Sequence, residues 1–196
     1  MRTEDKIQAI MRESAALTDA LLNDEATLTG VARAADMLTQ AFREGGRALF
    51  CGNGGSAADA QHFAAELAGK FYLERQALDA EALHVNTSFI TAFANDHAYE
   101  GAYARLVQAK GRRGDVLVGI STSGKSRNII LALEEADRLG IRRIALIGAG
   151  DAGGVSARAD IIISVPSTVT PRIQECHVLI GHILCELVEE RLAARA

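Results

Sequence analysis

The first 45 residues carry apolar side chains at the spacing of an α-helix. Residues three or four positions apart share one face of a helix, so a recurring apolar set at this spacing forms a stripe that can pack. Two such sets follow each other, and they predict a pair of helices over residues 1–45. The apolar positions are Ile7, Ile10, Met11, Leu17 and Leu21 in the first helix, and Leu28, Val31, Ala35, Leu38 and Phe42 in the second.

After residue 45 the pattern changes to short runs that are apolar at nearly every position. Continuous apolar runs of this length are typical of strands that are buried on both faces. A weaker strand is predicted near Ala82–Val85, and each of the first four strands is followed by a segment of helical composition. The clear strand runs are RALFCG (47–52), DVLVGI (115–120), RRIALIG (142–148) and DIIISV (160–165).

Strands that alternate with helices form a parallel sheet that is covered on both sides. A long helix is predicted from about Pro171 to Ala194, with proline in its first turn, where helices accept it. No linker or repeat interrupts the 196 residues. We therefore predict one α/β domain with a doubly wound, five-stranded parallel sheet. Residues 1–45 form the helical pair, 46–170 the α/β core and 171–196 the C-terminal helix.

Composition and charge argue against several classes of protein. The net charge is −4 and no basic block is present, so the electrostatic footprint of a nucleic-acid-binding protein is missing. The N-terminus MRTEDKIQAI is acidic where a signal peptide is cationic and then apolar, and no apolar run reaches the length of a membrane span. The three cysteines, which lack metal-type spacing, favour a reducing cytoplasm and buried thiols. They are Cys51, Cys176 and Cys185.

The stretch GISTSGKS, residues 119–126, matches the phosphate-loop pattern G-x-x-x-x-G-K-[ST] of nucleotide-hydrolysing proteins. Those proteins usually carry the loop on the first strand and hold magnesium with an aspartate at the end of another strand. Here the loop follows the third strand, Gly119 lies within that strand, and DIIISV has its aspartate at the wrong end. A P-loop kinase that depends on Lys125 is therefore the weaker interpretation.

The hydroxyl groups of the same loop favour a single phosphate group as the ligand. Ser121, Thr122, Ser123 and Ser126 offer four hydroxyls, and Gly124 lets the backbone turn closely around an anion. The helix predicted over 126–139 directs its unpaired N–H groups at the same place. A serine-rich turn with a helix cap would explain one or two hydroxyls but not four. We therefore predict a monophosphate site beyond the carboxyl end of the third strand, where ligands of such sheets bind.

Two segments carry candidates for proton transfer. His62 and Glu66 stand at i and i+4 in SAADAQHFAAEL, so they share a helix face, although spacing alone favours an ordinary surface pair. In the C-terminal helix His177 falls on the apolar stripe, which predicts a core or interface position. His182 falls on the opposite face, among Glu175, Glu186 and Glu189, and meets either solvent or a polar cleft. Gln174 lies about 80° around the helix and ~12 Å along it from His182. A shared site therefore requires a ligand or metal that spans them, or a local distortion.

The segments GNGGSAADAQHFAAEL and STSG resemble the sugar isomerase (SIS) domain family. With RIQECHVLIGHIL near the C-terminus, the chain is similar to the phosphoheptose isomerases in particular, over nearly its whole length. This resemblance implies a flavodoxin-like SIS fold. It also implies a homotetramer whose sites take residues from neighbouring subunits. The apolar faces of the terminal helices, which exceed what one sheet face needs, agree with a homo-oligomer.

The resemblance also implies which positions line the active site. It places a zinc ion with His62, Glu66, Gln174 and His182. It places the sugar phosphate against Asn53, Gly54, Gly55, Ser56, Glu66, Asn95, Asp96, Ser121, Thr122, Ser123, Ser126 and Gln174. Without the resemblance, Asn95 and Asp96 would be a turn that ends a helix. Asn86 stands where many relatives are expected to have aspartate, which leaves the role of that position open.

The reaction implied by the resemblance converts sedoheptulose 7-phosphate to D-glycero-D-manno-heptose 7-phosphate, for heptose and lipopolysaccharide precursor synthesis. An aldose–ketose interconversion moves a proton between C1 and C2 through an enediol, so it needs a base at carbon and an acid or base at oxygen. Glu66 is the hypothetical carbon base and His182 its partner. The alternative is a non-catalytic SIS protein that binds the replication initiator DnaA. That family lacks equivalents of Glu66 and His182, and their presence here favours the enzyme.

Overall fold

The computed structural model describes residues 1–194. Its first two helices, α1 (Thr3–Leu22) and α2 (Glu25–Arg43), confirm the predicted helical pair. They are separated at Asp24, whose carboxylate accepts the N–H of Thr27 at 3.0 Å and so caps the start of α2. Only Leu21 of α1 is buried, so the apolar stripe of this helix is largely uncovered in the single chain.

Five parallel strands form one sheet in the order β2-β1-β3-β4-β5, as the doubly wound prediction requires. The direction of winding reverses between β1 and β3, which are neighbours in the sheet. The carboxyl ends of two such strands border the crevice in which ligands of these folds bind. The strands are β1 (Ala48–Cys51), β2 (Ala80–Ala82), β3 (Val116–Ser121), β4 (Arg142–Gly148) and β5 (Ile161–Val165).

The weak strand lies slightly earlier than predicted. β2 ends at Ala82, and Leu83–Val85, which the prediction included, forms a 3₁₀ turn. The apolar signal came from this turn, in which Leu83 is buried. The strand itself contains Glu81, which is tolerated because β2 lies at the edge of the sheet, where the carboxylate pairs with the Lys110 ammonium.

The segment after β4 also differs from the prediction, because it contains no α-helix. Between Gly148 and Gly154 the sequence GAGDAGG has four glycines, which are poor helix formers. The Asp151 carboxylate instead accepts the backbone N–H groups of Gly154 and Ser156 at 2.6 and 2.7 Å. A 3₁₀ turn, Ser156–Arg158, then leads into β5. The expectation of a helical segment after each of the first four strands was therefore wrong for β4.

Helices cover both faces of the sheet, as predicted. One apolar core lies between the sheet and α2, α3 and α7, and a second lies on the opposite face beneath α5 and α6. Within residues 1–194, no helix combines the length and the apolar character that crossing a bilayer requires. The remaining helices are α3 (Gly55–Ala68), α4 (Thr87–Asp96), α5 (Ala102–Lys110), α6 (Arg127–Arg138) and α7 (Thr170–Ala193).

Candidate active site

The loop after β1 turns sharply into α3. Gly54 has φ of 56°, a left-handed conformation that favours glycine. A Cβ on Gly52 would lie 2.4 Å from the carbonyl oxygen of Ser56. These two glycines therefore let residues 52–55, which we call the sugar loop, fold back onto the first turn of α3. The amino end of α3, where the N–H groups of Ser56 and Ala57 donate to the carbonyl oxygens of Asn53 and Gly54, starts at the crevice between β1 and β3.

The serine-rich loop after β3 forms a tight turn, and residues 121–126 are called the phosphate loop below. The Ser121 and Ser126 hydroxyls lie 2.9 Å apart, and the Ser123 hydroxyl accepts the N–H of Lys125 at 3.2 Å. Gly124 has φ of 66°, and a Cβ there would lie 2.2 Å from the Cβ of Asp151. The Ser121 and Ser126 hydroxyls thus meet immediately before α6 begins, whereas the Ser123 hydroxyl bonds to the backbone of its own loop.

The phosphate loop differs from a nucleotide-binding loop in its length, as the sequence predicted, and in the surroundings of Asp151. Gly119 lies inside β3, so the loop itself is shorter than the nucleotide motif assumes. Both carboxylate oxygens of Asp151 accept backbone N–H groups of their own loop. The phosphate loop therefore resembles a site for one phosphate group more than a site for magnesium and a nucleotide.

Helices α3 and α7 run side by side in the same direction, which brings three titratable groups together. Gln174 contacts Gly55 near the start of both helices, and two turns later His182 contacts His62. His62 Nε2 lies 3.2 Å from Glu66 Oε1 and 3.3 Å from His182 Nε2. The three donor atoms all lie within 4.8 Å of one another. His182 therefore lies against His62 of α3, and His62 and Glu66 belong to a group of three rather than to an isolated pair.

Gly181 explains how α7 approaches α3 so closely at this point. A Cβ on Gly181 would lie 2.0 Å from a ring carbon of Phe63, so any other residue would push the two helices apart. Phe63 directly follows His62, and Gly181 directly precedes His182. The absence of a side chain at position 181 thus sets the distance between the two imidazoles.

The cluster of His62, Glu66 and His182 fits a zinc ion. Tetrahedral zinc binds nitrogen and oxygen at about 2.0–2.1 Å, which places neighbouring ligand atoms about 3.3 Å apart. Two of the three separations between the donor atoms, 3.2 and 3.3 Å, match this requirement, and all three atoms lie within 4.8 Å of one another. Two imidazoles and a carboxylate are also a usual ligand set for catalytic zinc, with a fourth position left open.

Gln174 lies at the other end of the cleft. A Cβ on Gly55 would be only 2.4 Å from Gln174 Nε2, so this amide packs against the sugar loop and the first turn of α3. Eight residues of helix, about 12 Å, separate Gln174 from His182. Within one chain Gln174 is therefore a neighbour of the sugar loop, and its assignment as a metal ligand stays a prediction that needs a second subunit.

Asn95 and Asp96 form the carboxyl end of α4, where the Asn95 amide donates to the Asp96 carboxylate at 2.9 Å. Both side chains are exposed, and among residues 1–194 neither is hydrogen-bonded to the sugar loop or the phosphate loop. Their contact with the sugar stays a prediction. Asn86 caps the start of α4 by accepting the N–H of Phe89 at 3.0 Å. Since aspartate caps helices equally well, the departure at Asn86 has a simple structural explanation.

The sequence analysis missed Asp59, which lies in α3 one turn before His62. Its side chain is buried, and its Oδ2 atom has no hydrogen-bond partner. Burial raises the pKa of Asp59 to about 6, although His62 acts in the opposite direction. The only local signal was an acidic residue within the alanine-rich run SAADA. His177, in contrast, is buried as predicted, and burial lowers its pKa to about 4.

A buried ion pair, also missed from the sequence, fixes the far ends of α3 and α7. Glu189 accepts the backbone N–H groups of Phe71, Tyr72 and Leu73 at 2.9, 2.5 and 2.8 Å. Its Oε1 also lies 3.0 Å from Arg75 Nε. Arg75 Nη2 donates to the carbonyl oxygen of Glu66 at 3.1 Å. This clamp, made by Glu189 and Arg75, therefore connects α7 directly to the turn of α3 that carries Glu66.

Two further residues, Asn128 and Tyr99, contact Asn53 of the sugar loop. The amides of Asn53 and Asn128 are hydrogen-bonded to each other, and the Tyr99 hydroxyl donates to Asn53. Asn128 is a buried polar residue at the start of α6, directly before the apolar positions of this helix. Its place ahead of the apolar run gave no local signal of its contact with Asn53.

Known proteins share this architecture. The family profile of the SIS domain matches residues 11–148. A phosphoheptose isomerase from Rhodospirillum rubrum is 46% identical over 191 residues, which cover 97% of this chain and 100% of that protein. The chain belongs to the phosphoheptose isomerase family. A second relative with this name, from Akkermansia muciniphila, is 49% identical over 162 residues, 83% of this chain and 85% of that protein.

The family resemblance extends to the three-dimensional structure. The structure of a phosphoheptose isomerase from Neisseria gonorrhoeae superposes with a TM-score of 0.90 at 38% identity. The match covers 96% of this chain and 100% of that one, so it extends well beyond the α/β core. Membership of the phosphoheptose isomerase family therefore accounts for the terminal helices as well as for the sheet.

Proposed function

We propose that this chain is an isomerase that converts sedoheptulose 7-phosphate to D-glycero-D-manno-heptose 7-phosphate through an enediol. The observation that carries the proposal is the meeting of His62, Glu66 and His182 in one cleft of a phosphoheptose isomerase fold. The three residues come from two helices that are far apart in sequence. A non-catalytic protein that binds DnaA has no need for this arrangement.

The phosphate group would be held at the phosphate loop. Its Ser121 and Ser126 hydroxyls meet just before α6, whose first N–H groups and dipole favour an anion. Binding energy from a phosphate that is remote from the reacting carbons is available to orient them. Gln174 packs against Gly55 of the sugar loop, and in this proposal both contact the hydroxyl groups of the sugar.

In this proposal Glu66 removes the proton from one carbon and returns it to the neighbouring carbon. His182 exchanges protons with the carbonyl and hydroxyl oxygens at the same two carbons, so that no full charge has to develop on oxygen. His62 lies within hydrogen-bond distance of both groups and orients them. If His62, Glu66 and His182 instead hold a zinc ion, the metal engages the lone pairs of these side chains. The positive charge of the ion, in place of proton exchange by His182, would then stabilise an enediolate.

We also propose a homotetramer in the cytoplasm. An apolar groove of about 320 Å³ lies between α1, α2 and α7. Its lining includes Leu22 and Leu28, which are 65% and 52% exposed in the single chain. Association through such faces would cover them and would allow Gln174 of a second subunit to approach the zinc ligands. The three free, buried cysteines support a reducing compartment.

The test is turnover of sedoheptulose 7-phosphate by the purified protein, with and without a chelator. Glu66→Gln and His182→Ala are each expected to lower kcat by roughly 10²–10⁴-fold, the usual contribution of a positioned acid or base. Glu44→Gln, an exposed carboxylate at the end of α2, is the matched control and should keep wild-type turnover. Near-wild-type kcat in both site variants would refute the roles assigned here. DnaA binding by a wild-type chain without isomerase activity would favour the alternative.

A further inference from the structure

A pair of side-chain amides joins the sugar loop to the helix that follows the phosphate loop. Asn53 Nδ2 donates to Asn128 Oδ1 at 2.9 Å, and Asn128 Nδ2 donates to Asn53 Oδ1 at 2.8 Å. Asn128, in the first turn of α6, is only 4% exposed. The two residues therefore bridge the crevice between β1 and β3 just beyond the ends of those strands.

Neighbouring donors fix the orientation of both amides. The backbone N–H of Ile129 donates to Asn128 Oδ1 at 3.0 Å, which requires an oxygen at this position. The Tyr99 hydroxyl donates to Asn53 Oδ1 at 3.1 Å. Since a carbonyl oxygen has two lone pairs, the bonds from Asn128 and Tyr99 use the full accepting capacity of the Asn53 amide. Only one of its N–H groups remains for a ligand.

We propose that Asn128 is a positioning residue, which fixes the sugar loop relative to the phosphate loop. This inference rests on the proposed function, in which one loop contacts the sugar and the other contacts the phosphate. If the phosphate is anchored at the start of α6, the amide bridge decides where the sugar loop meets the rest of the substrate. It thereby decides how the reacting carbons are presented to Glu66 and His182.

Asparagine is the residue type that this bridge requires. Each amide supplies one donor and one acceptor to the other. Replacing Asn128 by an apolar residue therefore leaves the Asn53 N–H without its acceptor and leaves Tyr99 as the remaining donor to Asn53 Oδ1. Aspartate at position 128 would keep the acceptor but place a negative charge at the start of α6, where it would repel a phosphate group. Asn128→Leu, which keeps the approximate size and adds no charge, is therefore the clean test.

The control is Thr39→Val, another buried polar-to-apolar change. Thr39 is 2% exposed, and its hydroxyl donates to the carbonyl oxygen of Ala35 within α2, away from both loops. Three measurements on the full-length protein compare the variants. They are kcat and KM with sedoheptulose 7-phosphate, the Kd of inorganic phosphate by calorimetry, and hydrogen exchange of residues 52–57 by mass spectrometry.

Asn128→Leu is expected to lower kcat at least tenfold and to speed exchange of residues 52–57 at least tenfold, with the Kd of phosphate within twofold of wild type. Thr39→Val should leave all three within twofold. Unchanged kcat and exchange in Asn128→Leu would overturn the inference. So would a tenfold weaker phosphate affinity, which would make Asn128 part of the phosphate site, or equal effects in Thr39→Val. If wild type does not turn over the sugar, the proposed function fails, and hydrogen exchange alone decides whether Asn128 holds the loop.

Discussion

Replacing Glu189 by glutamine is expected to destabilise the protein strongly, although the two side chains have the same shape. The Glu189 carboxylate is 1% exposed and accepts three backbone N–H groups. An amide at this position has only one accepting oxygen, so at least one of these N–H groups would face another donor. The Arg75 side chain, which is 9% exposed, would also lose its counter-charge.

The size of the effect follows from the burial of the pair. Removing one partner of a buried ion pair costs about 3–5 kcal/mol, since the remaining charge is left in a poorly solvated site. In a chain of 196 residues, each kcal/mol lowers Tm by about 2–4 °C. We therefore expect Glu189→Gln to melt roughly 10 °C below wild type at neutral pH.

The same contacts predict how the difference depends on pH. Burial acts to raise the pKa of Glu189, but the N–H groups of residues 71–73 and the Arg75 guanidinium outweigh it and hold the pKa below 4.5. A carboxylate with a lowered pKa contributes stability that is present above its unfolded-state pKa and is lost as pH falls through the folded-state value. The gap between wild type and Glu189→Gln should therefore be widest near neutral pH and should narrow below about pH 4.

The assay is thermal unfolding from pH 3 to 8 at one protein concentration, with chelator present so that bound metal does not contribute. Glu190→Gln is the matched control, because the next residue of α7 is an exposed carboxylate. If Glu189→Gln melts within 2 °C of that control at pH 7, the clamp does not stabilise the fold and the reasoning from burial is wrong.

Three other changes test different parts of the site. Burial raises the folded-state pKa of Asp59 to about 6, so the protein loses stability as pH rises through that value. Asp59→Asn should therefore raise Tm at pH 8 and not at pH 4. An equal change in Tm at both pH values would contradict this. Gly181→Ala adds a Cβ that would lie 2.0 Å from the Phe63 ring of α3. It should weaken zinc binding at least tenfold in a metal titration. A zinc affinity equal to that of wild type would show that α3 and α7 need not approach so closely. Gly124→Ala forces a side chain into a residue with φ of 66° and should weaken inorganic phosphate binding at least tenfold in calorimetry, whereas Gly150→Ala, whose Cβ would make only a 3.7 Å contact, should not.

Sequence patterns predicted the elements that have a local cause. β1, β3 and β4 were evident because both of their faces are apolar and buried. β5 was evident from an equally apolar run, but it lies at the edge of the sheet and buries only alternate residues, so the prediction that both of its faces are buried was wrong. The terminal helices were evident because their apolar positions repeat at helical spacing. β2 was misplaced because an edge strand with Glu81 carries little apolar signal. The segment after β4 was mistaken for a helix although Asp151 and its glycines favour a turn.

Local sequence patterns did not predict the contacts between segments that are distant in the sequence. Helical periodicity correctly put His182 and Glu189 on one face of α7, but it assigned both to the polar side. Glu189 is in fact buried, because the N–H groups of residues 71–73 happen to converge on it. The family resemblance supplied His62, Glu66 and His182 as a group, and only the packing of α3 against α7 explains why they meet.

The amide bridge between Asn53 and Asn128 is made entirely of neutral groups. Such a link does not ionise between acidic and alkaline conditions, and dissolved ions screen it very little. The spacing of the two loops should therefore stay constant when a charged ligand arrives or leaves. The pH dependence of turnover would then report on the ionisable groups of the site and not on a change in the distance between the two loops.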